Sequence, residues 1–208
     1  MTFSEKLDRA KIGSKTAYES LCLSCVDSLY AAALIALKSE PSARQAVIAA
    51  TNDGFAGISR IKDEKHLRSW LVHELTKNIV DMLKEFKAEG VVNTPTGVFA
   101  EADRLPDVER LVFSVAASFG YGIREISVLT GTSEDAVSEK LFSAKAHLGA
   151  YYETLSAAAA SYLAPESLKE RYRTFDESLA RLERTSSFTV PKVEETKTEP
   201  EPEPEPEP

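Results

Sequence analysis

"TSEDAVSEKLFSAKAHL", residues 132–148, is the stretch whose reading decides the fold. Placed at about 100° per residue, Val137, Leu141, Ala144 and Leu148 fall on one narrow stripe, the pattern of a helix with one buried face. Ser133 stands where an N-cap belongs, and Glu134 and Asp135 follow it at the helix's positive end. Just before, Gly131 stops the short apolar run "IREISVLT" (123–130). Two helices parted by a glycine-containing turn predict a helix-turn-helix. The opposite face of the second helix holds Asp135, Glu139, Phe142, Ser143 and Ala146, with Lys140 and Lys145 at the borders of the apolar stripe. A DNA-reading face needs donors to phosphates and base edges, whereas this one carries acids.

Outward from this stretch, helical spacing dominates and strand-like alternation is rare. One helix is expected over 16–38 and a second over 42–60, weakened by Gly54 and Gly57. A third is expected over 64–89, with Leu67, Leu71, Leu75, Ile79, Met82 and Phe86 on one face and Gly90 as its stop. Residues 91–104, with Pro95 and Gly97 and no helical period, read as an interdomain linker. Beyond Pro106 come helices over 107–119 and 123–130, then a longer one from the Ser133 cap through "GAYYETL". The expectation is an all-α fold of two small helical domains, 1–90 and 105–150, joined by that linker. A helical extension follows over 151–190. The alternating Glu and Pro of 191–208 predict a disordered, extended acidic tail.

Net charge is −8, and seven Glu against two Lys in 191–208 account for most of it. The remainder is only mildly acidic, so nothing draws it generally toward phosphate. The segment 60–87 is the one mildly basic stretch, and it contains the sole tryptophan, Trp70. Trp70 is expected to pack in a core, with stacking on single-stranded DNA as the alternative.

No uninterrupted run of eighteen apolar residues exists, and "MTFSEKLDRAKIGSK" lacks an apolar signal core. The expectation is a cytoplasmic protein with no membrane insertion. Cys22 and Cys25 lie in an apolar helical stretch with no second cysteine pair, and are expected to be core residues rather than zinc ligands. His66 and His73 are two turns apart, ~10.5 Å along a helix, too far for one ion. No paired carboxylates, Ser-His-Asp set or phosphate-binding loop stands out. No enzyme, metal or cofactor is expected.

Over 105–148 the chain resembles the promoter −35-reading region four of extracytoplasmic-function sigma factors. Leu105-Pro106 opens the segment, Glu125-Ile126-Ser127 follows, and Gly131 and Ser133 fall at the turn. Val137, Leu141, Ala144 and Leu148 continue without a gap, and Lys140 and Lys145 stand where that family has Arg. Less closely, the first block is similar to the family's region two. The similarity there runs through "YESLCLSCVDSLYAAALIAL", "SARQAVIAATNDGF", and the Trp70, Leu71, Asn78, Asp81 and Lys84 of "RSWLVHELTKNIVDMLK".

The resemblance implies a transcription initiation factor whose partners are core RNA polymerase and promoter DNA. It places candidate DNA contacts at Arg124, Ser133, Ser138, Glu139, Lys140, Ser143 and Lys145, and on the third helix at Lys77 and Lys84. Candidate polymerase contacts are Arg44, Gln45 and Ile48. The chain departs from the family at informative positions. Ser138 and Ser143 replace bases, and Glu139 replaces a small polar residue. Arg44-Gln45 stand where the family has an acidic pair, and Ile48-Ala49 where it has Gln-Glu. Two functions therefore remain open. One is a working promoter-binding sigma factor. The other is a sigma-like protein that acts through protein contacts with polymerase, an anti-sigma or a co-sigma protein and reads DNA little. Covering of Asp135 and Glu139 by residues 172–184, with Phe175, Leu179 and Leu182 on one side, would favour the second.

Overall fold

The segment "VDSLYAAALIAL" is apolar on every side, and a helix of that kind must be surrounded by protein. The computed structural model describes residues 1–93, 97–173 and 181. It places this segment, α3 (Val26–Leu37), at the centre. Before it come α1 (Phe3–Lys11) and α2 (Lys15–Cys22); after it come α4 (Glu40–Phe55) and α5 (Glu64–Glu89). A 3-10 helix, Gly97–Arg104, leads to α6 (Asp107–Phe119), α7 (Ile123–Thr130), α8 (Glu134–Leu148) and α9 (Tyr151–Ser161). A further helix, α10, begins at 166 and is described to 173. Among the described residues every regular element is helical, and the fold is all-α.

Several boundaries follow from local chemistry. The carboxylate of Asp63 accepts from His66 N–H at 2.7 Å and starts α5, which ends at Gly90. α1, absent from the sequence reading, is fixed by a capping box: Thr2 Oγ1 accepts from Glu5 N–H, and Glu5 Oε2 accepts from Thr2 N–H at 2.7 Å. α2 and α3 form nearly the single helix expected over 16–38, interrupted by one 3-10 turn, Leu23–Cys25. α4 stops at Phe55 rather than running to 60, because the chain turns there against Trp70. A Cβ at Gly57 would lie 2.4 Å from the Trp70 ring. The long helix expected from Ser133 is two, α8 and α9, broken at Gly149.

The two blocks do not keep separate cores. Leu29, Val47, Leu71 and Ile79 share one buried cluster with Leu111, Val115, Ile126 and Val137. Ile35 of α3 joins Phe99, Phe113, Leu148 and Leu155 in a second. Residues 91–104, expected as a linker, include Phe99 and Ala102, both buried. The physical reason is α3: α4 and α5 leave one side of it bare, and α6 and α9 cover that side. The same helix explains the hydropathy of Lys15–Leu37. By length and composition that span could cross a membrane, yet 72% of its most apolar window is buried inside the bundle. Cys22 and Cys25 are free and buried there, and burial pushes both thiols above their ordinary pKa.

Candidate nucleic-acid and partner interface

The turn between α7 and α8 is three residues, 131–133. Gly131 takes the left-handed conformation (φ 65°) that closes α7. Ser127 Oγ donates to the Thr132 carbonyl at 2.6 Å, and Ser133 Oγ accepts from Ala136 N–H at 3.2 Å. The turn is thus fixed from both sides. Val137, Ala144 and Leu148 are buried, and Leu141 is half-buried on the same stripe.

The outward face of α8 is open among the described residues. Glu134, Asp135, Ser138 and Glu139 are exposed, and Phe142 stands 78% exposed. The candidate cations are occupied. Lys140 Nζ lies 3.5 Å from Glu139, and Lys145 Nζ lies 3.6 Å from Glu153 and over the Tyr152 ring. Ser143 turns inward and donates to Glu109 Oε1 at 2.8 Å. His147 Nδ1 donates to the other oxygen of that carboxylate, also at 2.8 Å. Glu109 belongs to α6 and is buried, so this pair locks α8 onto α6. Arg124 is exposed in the first turn of α7.

α7 rests on α5. His73 Nδ1 donates to the Leu129 carbonyl at 3.1 Å, and Lys65 faces Glu125 at 3.8 Å. A shallow cavity of about 350 Å³ opens between these helices, lined by His73, Lys77, Val80, Lys84, Val128 and Leu129. Lys77 and Lys84 are therefore brought beside the helix-turn-helix. Each also meets an acid of its own helix, Glu74 at 3.4 Å and Asp81 at 2.9 Å. Trp70 is half-buried against the core, and its Nε1 donates to the Gly54 carbonyl at 3.0 Å.

The candidate polymerase residues sit elsewhere, on α4. Gln45 is exposed, while Arg44 and Ile48 are half-buried. Arg44 Nη1 donates to Ser167 Oγ of α10 at 3.0 Å. No sequence pattern announced that residues 166–173 would settle on this helix. Residues 174–180 and 182–190, with Phe175, Leu179 and Leu182, and the Glu-Pro tail lie outside the described residues. Among those that are described, no three His, Cys, Asp or Glu side chains gather as a metal set. Comparison with known proteins finds no match to any family model, curated protein or solved structure.

Proposed function

We propose that this chain is a sigma-like regulator of transcription initiation that works through protein contacts and reads DNA little. The observation that carries this reading is the outward face of α8. It presents Glu134, Asp135 and Glu139 around an exposed Phe142. Three carboxylates repel a phosphate-lined groove, while an exposed aromatic ring among charges suits a protein partner. The region-four spacing supplies the sigma-like part of the proposal, and the α7–turn–α8 geometry is consistent with it.

A promoter-binding sigma factor is the second reading. It is favoured by the placing of Lys77 and Lys84 beside α7, with Arg124 exposed. The two readings separate in one experiment. The purified chain is titrated with core RNA polymerase, and separately with promoter-length duplex DNA across a salt series. The proposal expects polymerase binding in the micromolar range and DNA binding with little salt dependence. Tight DNA binding with a salt slope of several phosphate contacts would replace it by the second reading. Absence of polymerase binding would remove both.

A further inference from the structure

Beside Trp70 a further cavity, of about 430 Å³, opens between the end of α4 and α5. Its lining includes Trp70, Glu74 and Lys77 of α5, with Asp53, Gly57 and Arg60 from the facing side. Trp70, Glu74 and Lys77 are four and then three residues apart, so they form one stripe of α5. The facing chain runs the other way. Asn78 Nδ2 donates to Asp53 Oδ2 at 3.2 Å, whereas Gly57 packs on the Trp70 ring. Arg60 is tied to Gly57 by a 3-10 turn, its N–H donating to the Gly57 carbonyl at 3.0 Å. The cavity is thus ordered: Arg60 at one end, the indole beside it, then Glu74, with Asp53 and Lys77 at the far end.

Glu74 is the unusual member. It is buried, at 7% exposure, yet its carboxylate has one partner among the described residues, Lys77 Nζ at 3.4 Å from Oε2. A buried carboxylate can accept from several donors and is ordinarily satisfied. Arg60 is exposed and forms no ion pair among the described residues. A volume of this size is in the range of small-molecule sites, about 300–1,000 Å³. We propose that the cavity binds a guanine mononucleotide. The base lies along the Trp70 wall, its N1–H and exocyclic amino group donate to the Glu74 carboxylate, and its phosphate meets Arg60. The order of groups in the cavity carries this assignment. Acceptor, aromatic wall and cation match donor edge, planar ring and phosphate in the nucleotide. An ionised carboxylate only accepts, and guanine offers two adjacent donors on the edge away from its sugar. Adenine and cytosine set an acceptor beside their amino group there, and uracil sets acceptors on both sides of its N–H.

Trp70 is the chain's one tryptophan, so its fluorescence reports occupancy of this cavity. The full chain is titrated with GMP, guanosine and AMP, followed by that emission and by calorimetry. The expected result is saturable one-to-one binding of GMP in the sub-millimolar range, with AMP at least about tenfold weaker. Glu74→Gln keeps the shape but turns an amide donor toward the base. It is expected to lower GMP affinity at least about tenfold and to erase the preference over AMP. Arg60→Ala, at an exposed position, is expected to weaken GMP and leave guanosine unchanged. Absence of saturable GMP binding overturns the site. Equal affinity for GMP and AMP overturns the guanine assignment, as does wild-type GMP affinity in a folded Glu74→Gln variant. Should that variant fail to fold, equal GMP binding by wild type and Arg60→Ala overturns the orientation proposed. An oligothymidine with one internal guanine that binds far more tightly than GMP overturns the mononucleotide in favour of a strand.

Discussion

Arg110 lies inside the molecule at 2% exposure, and its Nε donates to the Ala36 carbonyl at 3.1 Å. Ala36 is in the last turn of α3, where carbonyls have no partner within the helix. The same guanidinium donates to the Leu105 carbonyl at 2.6 Å and pairs with Asp107. One side chain of the second block thus closes the end of the first block's central helix. A neighbouring carbonyl of that end, Leu37, is taken by Asn93 Nδ2 at 3.1 Å.

Arg110→Met is therefore expected to destabilise the whole fold. It keeps most of the volume but leaves two buried carbonyls unsatisfied, at about 1–3 kcal/mol each. A loss of roughly 2–5 kcal/mol should appear as a lower urea midpoint. Arg110→Lys should recover only part, since a single ammonium cannot reach all three acceptors. Both blocks should unfold in one transition, in the wild type and in the variants. Two separated transitions would mean that the shared core does not couple them.

The distribution of such contacts shows which parts of the fold the sequence disclosed. The bounds of α5 were legible from its apolar spacing and from Gly90, a local signal acting within a few residues of itself; the Asp63 cap at its start was not read. The turn at 131–133 was legible for the same reason. The joining of the blocks was not. All-round apolarity of α3 says that something covers it, but not that α6 does. On α8 the acidic face was visible from spacing alone, whereas the inward turn of Ser143 depended on Glu109, thirty-four residues away. The covering of α4 by α10 depended on still more distant partners, Arg44 with Ser167 and Thr51 with Tyr172.

Trp70 offers a local test of packing. Its indole fills the space over Gly57, where a Cβ would approach to 2.4 Å. Gly57→Ala should displace the ring, at a cost of about 1–3 kcal/mol. The chain has one tryptophan, so its fluorescence reports this site alone. A red shift in the emission of the folded variant, with lower thermal stability, is expected. An unchanged spectrum and midpoint would show that the ring is not seated there.

Tyr172 should make stability fall at alkaline pH. Burial pushes its phenol up to about 12, against about 10 in an unfolded chain. Between those values the unfolded chain has released the proton and the folded chain has not. The unfolded state then binds fewer protons, so stability falls as pH rises. The contribution is intact below pH ~10 and its loss reaches roughly 2–3 kcal/mol by pH ~12. Tyr30, also raised to about 12 by burial, adds to the same slope. Tyr172→Phe should cost about 1 kcal/mol at neutral pH through the lost Thr51 bond, yet show a shallower alkaline decline. Urea melts from pH 8 to 12 check this, and parallel curves for the two proteins would contradict it.

The acidic face of α8 makes the sharpest prediction about function. Ser138 and Glu139 are exposed, and neither packs in a buried cluster. Ser138→Arg with Glu139→Lys replaces one carboxylate by two cations and should leave the urea midpoint within about 0.5 kcal/mol of wild type. It also removes the Glu139 partner of Lys140, leaving that ammonium available to phosphate. If α8 is held at the angle of a groove-reading helix, duplex DNA binding should rise. The slope of log affinity against log salt should steepen by about 0.9 for each additional phosphate neutralised. Fluorescence anisotropy on a labelled duplex at several salt concentrations measures both. Polymerase binding through the α4 candidate contacts should be little changed, whereas a protein partner that docks on the acidic face of α8 should bind more weakly. A rise in DNA affinity would mean that the helix-turn-helix retains its geometry and that its surface charge keeps the wild type off DNA. No rise, with the fold intact, would mean that α8 is not presented to a groove at all, and the sigma-like reading would then rest on the α4 face alone.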